Sequence, residues 1–201
     1  MKRLLISLCL LSLAACLALA EKSTDVTEVG KNHFEAEFAP GGLLRMHICS
    51  SELRVIGSDE NKIQIHYWAR NADKGDEVKV SLKTAGNTGE LRISGGPHNN
   101  FEIEIRVPKN SDLYLRVPAG DVEVSGLTGD KDVEVHAGDV RIEIGDPEDY
   151  ARVDASVNAG DIDAAPFGAS KSGLFRSFRR QGNGKYQLHA HVGAGDLTLR
   201  P

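Results

Sequence analysis

The sequence predicts an all-β chain folded as a stacked β-solenoid, a single domain behind an exported leader. Three observations predict it. The pattern Val-x-Ala-Gly-Asp-apolar-x-apolar occurs four times, at 117–124, 135–142, 157–164 and 192–199. A short motif recurring at a period of about 20 residues marks a repeat architecture rather than an enzyme site. Polarity alternates on both sides of each Ala-Gly-Asp, which is the period-two signal of half-buried strands. Finally, no window supports a helix.

Each repeat reads as strand, corner, strand. Before the corner the apolar set is Leu113, Leu115, Val117; Val133, Val135; Val153, Ala155, Val157; and Leu188, Ala190, Val192. After it come Val122/Val124, Val140/Ile142, Ile162/Ala164 and Leu197/Leu199. Glycine supplies the backbone angles of a sharp corner. Aspartate can accept amide hydrogen bonds there and fix the turn. Successive corner alanines are 18, 22 and 35 residues apart (119, 137, 159, 194). The two shorter steps suit one coil each, and stacking of coils creates the core.

Residues 1–20 are expected to be a signal peptide. Lys2 and Arg3 precede the apolar run Leu4–Leu13, which is too short for a membrane span, and Ala18-Leu19-Ala20 before Glu21 fits a cleavage site. Leu13-Ala14-Ala15-Cys16 resembles a lipobox and would place a lipid on Cys16. Apolar residues 17–20 directly after such an anchor weigh against it, so cleavage between Ala20 and Glu21 is preferred. Both readings send the chain out of the cytoplasm, to the periplasm or cell surface.

With the leader removed, Cys49 stands alone. It cannot form an internal disulfide, and its position after Met46-His47-Ile48 suggests a buried, inert thiol. Losing Lys2 and Arg3 leaves 22 basic against 29 acidic residues, a net charge of −7. That balance argues against a nucleic-acid partner. No further transmembrane stretch follows the leader.

Residues 21–30 read as a polar linker and 31–201 as the domain. Its first half alternates as well, in Phe34/Ala36/Phe38, Leu53/Val55, Ile63/Ile65/Tyr67, Val78/Val80/Leu82, Leu91/Ile93 and Phe101/Ile103/Ile105/Val107. Turns are expected at 40–42, 57–59, 71–73, 85–87 and 95–97. Pro108 and Pro118 fall at strand ends.

Gly42-Leu43-Leu44, the stretch Leu53–Ile65, the Ala-Gly-Asp corners and the closing Gly193–Leu199 resemble the bacterial putative-adhesin, or toast-rack, domain family. The resemblance covers about residues 31–201. It implies an exported, β-helix-like envelope domain of unknown function with no catalytic residues.

Three sets of residues are weighed for chemistry. The corner aspartates Asp121, Asp139, Asp161 and Asp196 would lie about 4.8 Å apart if stacked in register. Stacked carboxylates could hold Ca²⁺ or act as an acid–base pair on polysaccharide, but capping of their own turns is the expectation. His189 and His191 share a strand face and, with His136, could bind Zn²⁺; exposed strand positions are the plainer reading. Residues 168–185 carry five basic and no acidic residues, with Phe175 and Phe178 among Lys171, Arg176, Arg179, Arg180 and Lys185. Such a loop could bind an anionic polymer or lipid head groups, or it could cap the end of the stack. Catalytic motifs such as Gly-x-Ser-x-Gly and His-Glu-x-x-His are absent. The sequence thus predicts a non-catalytic scaffold, without cofactor, that binds or senses an envelope polymer, lipid or protein. A signalling accessory acting through protein contacts and a β-helical polysaccharide-acting enzyme are the alternatives.

Overall fold

A computed structural model describes residues 23–29, 32–50, 52–69, 78–97 and 100–201. The expected leader, its cleavage site, Cys16 and the turn at 71–73 lie outside these. The described residues form β1 (Thr24–Val29), β2 (His33–Glu37), β3 (Leu43–Ile48), β4 (Glu52–Ser58), β5 (Lys62–Ala69), β6 (Lys79–Ala85), β7 (Thr88–Ser94) and β8 (Phe101–Pro108). Then come β9 (Asp112–Ala119), β10 (Asp121–Ser125), β11 (Lys131–Ala137), β12 (Val140–Glu143), β13 (Tyr150–Ala164), β14 (Ala169–Gln181), β15 (Tyr186–Ala194) and β16 (Leu197–Arg200). Two single-turn 3₁₀ helices, Pro147–Asp149 and Ala165–Phe167, flank β13. Among the described residues no α-helix forms, and no helix is long and apolar enough to cross a membrane.

All strands belong to one sheet that folds back on itself, in the order β1-β6-β7-β3-β9-β11-β15-β13-β16-β12-β10-β4-β8-β5-β2, with β14 on β13. In one layer β7, β3, β9, β11, β15 and the first part of β13 run parallel. In the other, β8, β4, β10, β12, β16 and the last part of β13 do the same. The single strand β13 pairs β15 through Ala159 and β16 from Ile162, so it joins the layers at one end. At the opposite end the path starts at β1 and finishes at β2, neighbours in the chain, which gives a nearly closed, barrel-like sheet.

Alternation explains the core. The predicted inward sets of β9, β11, β13, β15 and their partners are all buried in one cluster. Side chains shrink along one ladder in register: Met46, Leu115, Val133, Ala190, Ala155. Small residues fall where β13 brings the two layers together, since close-packed interiors leave no room for larger ones there.

Four expectations are corrected. The repeats do not stack in chain order: β15–β16, the last repeat, is inserted between β11–β12 and β13. Stretch 168–185 is chiefly a strand, because β14 lies antiparallel along β13 and satisfies an edge that would otherwise be left unpaired. Within the presumed linker, Thr24–Val29 pairs with β6, where the half-buried Val26 packs on the core. Cys49 is exposed, not buried: Ile48 takes the inward position, so the next residue points out at the corner.

Candidate functional site

The corners show what the motif is for. Ala119, Ala137, Ala194 and Ala159 stand in register. At each the following glycine has a positive φ: 129° at Gly120, 134° at Gly138, 135° at Gly195 and 140° at Gly160. A Cβ on Gly138 would sit 2.2 Å from the Gly120 carbonyl oxygen, and one on Gly195 2.2 Å from that of Gly138. Angle and crowding both demand glycine.

The aspartates do not cap their own turns. Asp121 Oδ1 accepts from the Asp139 amide at 2.9 Å, Asp139 Oδ1 from Asp196 at 3.0 Å, and Asp196 Oδ1 from Asp161 at 2.9 Å. Asp161 Oδ1 ends the ladder on the amide of Gly173 in β14, at 3.3 Å. Each carboxylate therefore links one corner to its spatial neighbour. A second ladder, invisible to a search centred on the corners, runs at the strand starts. Asp112 Oδ1 accepts from the Asp130 amide and Asp130 Oδ1 from that of Gln187. Asp112, Asp130 and Gln187 each precede their corner alanine by seven residues, a phase the sequence does carry.

The three candidate histidines do not converge. His189 Nδ1 lies 2.9 Å from Asp132 Oδ1, and His191 Nδ1 lies 2.9 Å from Ser156 Oγ. His136 sits at the corner beside Gly193. His189 borders a groove of about 510 Å³ on the open face of β3, β9, β11 and β15, lined also by Arg45, Tyr114, Asp132, Arg152 and Asp154. Arg116, itself outside the lining, braces Tyr114 and Asp132. Its guanidinium lies 3.7 Å from the Tyr114 ring centre and pairs with Asp132 at 3.0 Å and Glu134 at 3.2 Å.

Below the groove Lys131 is 2% exposed. Its Nζ donates to Tyr150 Oη at 2.9 Å and to the Gly129 carbonyl at 3.2 Å. Burial pushes its pKa down to about 8, against the pull of Asp130, Asp112 and Glu143. Burial likewise raises the Tyr150 hydroxyl.

Strand β14 divides the basic, aromatic residues into two groups. Arg179 pairs with Asp154 at 3.2 Å. Arg180 bonds Glu148 and the Pro147 carbonyl and stacks on Phe167, against which Phe178 packs at 5.8 Å. Lys185 lies over the Tyr186 ring. These residues fasten the strand. Leu174 and Phe175, by contrast, are 64% and 80% exposed. Phe175 also holds φ at 52°, a left-handed conformation rare outside glycine. Lys171 Nζ donates to the Ser177 carbonyl and Arg176 Nε to that of Ser172, clasping from both sides the tip of β14, the mid-strand bend where Leu174 and Arg176 pair with Ala159 and Val157 at the corner of β13. Among the described residues, neither cation has a carboxylate within ion-pair distance.

No family model matches the chain, and no curated protein matches it. Among solved structures, one described as a putative cell adhesion protein from Clostridium sporogenes is similar. It is 16% identical, with a TM-score of 0.49 over 89% of this chain and 99% of that one. At that score and identity the likeness establishes neither a shared fold nor a shared role.

Proposed function

We propose that the chain is an exported, non-catalytic, adhesin-like envelope protein: a rigid solenoid-like β scaffold that presents the tip of β14 to an anionic envelope component. Export rests on the leader-like residues 1–20. The observation that carries the contact is the tip itself. An apolar pair, Leu174 and Phe175, is held out in solvent, and Phe175 is kept in a strained backbone conformation by the clasp of Lys171 and Arg176. Strain of this kind persists only where surrounding bonds over-determine it, and it concentrates at functional positions. Exposed apolar side chains between two cations suit a negatively charged polymer or lipid surface, where screening by salt weakens the cationic share. The corner carboxylates favour the non-catalytic reading, because each already spends an oxygen on a neighbouring coil.

Co-sedimentation of the purified protein with isolated cell envelopes tests this. Binding should fall with salt and drop strongly in Lys171→Gln/Arg176→Gln and in Phe175→Ser. Arg179→Gln/Arg180→Gln should lose stability more than binding. Equal envelope binding by the tip variants and the parent would remove β14 as the contact surface.

A further inference from the structure

Histidines 33 and 66 lie outside every feature described so far. They face each other directly across the antiparallel pair β2–β5, at the far end of the sheet from β14. His33 Nδ1 and His66 Nε2 are 3.2 Å apart, with ring centres at 4.4 Å and planes 37° apart. A straight N–H···N bond of that length would set the ring centres about 5.5 Å apart, so this contact is bent and at the long end for a hydrogen bond.

The spacing fits another purpose. Metal–imidazole bonds are about 2.0–2.1 Å long. Two of them place their nitrogens about 2.9 Å apart at a right angle and about 3.3 Å apart at the tetrahedral angle. We infer that His33 and His66 form a two-histidine site for a late first-row divalent cation, copper(II) above zinc(II).

The surroundings supply what such a site uses. Glu35 Oε2 lies 3.9 Å from His33 Nε2, the ring nitrogen turned away from His66. Lys62 Nζ at 3.0 Å and Gln64 Nε2 at 3.1 Å donate to the Glu35 carboxylate and fix its position. At that distance the carboxylate makes no hydrogen bond to the ring, but its charge favours the tautomer protonated at Nε2 and so a free Nδ1 lone pair. The Trp68 ring lies near-parallel to His66, with centres 6.3 Å apart. Both rings are reachable from solvent, so water completes the coordination. Two imidazoles with open positions favour copper(II) by the general order of divalent affinities.

A rival cluster exists. Asp132, Glu134 and His189 bring one ligand atom each within 4.8 Å of one another. There, however, Arg116 already pairs with both carboxylates and also donates to the backbone carbonyls of Leu115 and Asp132. A divalent cation would have to displace a guanidinium fixed by four contacts. Among the described residues, no guanidinium or ammonium group pairs with His33 or His66 in the equivalent place.

The test is a titration of the purified protein with copper(II) chloride, followed by calorimetry and by electron paramagnetic resonance. The first equivalent should show coupling to two imidazole nitrogens. Its affinity should fall at least about 10-fold in His33→Gln and in His66→Gln and stay unchanged in His189→Gln. Zinc(II) should raise the melting temperature of the parent and not of His66→Gln, whose metal-free melting temperature should match the parent. A first equivalent that survives both His33→Gln and His66→Gln, or that disappears in His189→Gln, overturns the assignment.

Discussion

The carboxylate of Asp121 takes its hydrogen bond from the amide of Asp139, at the neighbouring corner of the sheet, at 2.9 Å. The same step recurs from Asp139 to Asp196 and from Asp196 to Asp161. The recurring aspartate is thus a rung between neighbouring corners, and its loss acts on how adjacent strands pack.

Replacing Asp139 by Ala leaves the Asp196 amide without its acceptor. Stability should fall by about 1–2 kcal/mol, while Asp139→Asn, which keeps an acceptor oxygen, should cost less than half of that. Denaturant unfolding reads both. Added Ca²⁺ should barely shift the melting temperature of the parent, since the ladder is satisfied by amides; a large saturable rise would restore the cation reading of these aspartates.

Gly138 and Gly145 both have positive φ, 134° and 67°, but only Gly138 is crowded. Gly145→Ala should cost about 1 kcal/mol, the conformational penalty alone. Gly138→Ala adds a clash with backbone and should cost more than about 3 kcal/mol, or prevent folding at 37 °C. Similar melting temperatures for the two variants would contradict the corner packing.

Lys131 sets a pH dependence. It is charged in both the folded and the unfolded chain below its folded pKa of about 8, so burial costs most there. Above that value the folded chain releases the proton, while the unfolded chain holds it until about 10.4. Stability attributable to Lys131 therefore rises from pH 8 to pH 10, by about 2 kcal/mol. Above pH 10 the raised Tyr150 acts in the opposite sense, because the unfolded tyrosine ionises first. Unfolding measured from pH 7 to 10 should show the rise in the parent and its loss in Lys131→Met. Parallel profiles would remove Lys131 as the cause.

At the tip, stability and binding should move in opposite directions. Phe175→Asn puts a residue tolerant of the left-handed region at φ 52° and removes little buried surface. It should hold or raise stability, by up to about 1 kcal/mol, and still weaken envelope binding. A variant that loses both would make Phe175 structural.

Much of this protein can be read from one chain. Strand phases and the inward faces follow from alternation, because a pleat sends successive side chains to opposite sides whatever the partner. The four glycine corners follow from the motif, because all four need the positive angle and Gly138, Gly160 and Gly195 also leave no room for a Cβ. Partner choice is different. That β15 enters between β11 and β13, that Asp121 bonds Asp139 rather than its own turn, and that Arg179 and Arg180 fasten β14 while Lys171 and Arg176 clasp its tip depend on which strands become neighbours. So does the meeting of His33 with His66, 33 residues away in the chain. Local chemistry sets what each strand can offer. Only the nearly closed sheet, which must pair every buried edge and taper its core toward β13, decides what each strand meets.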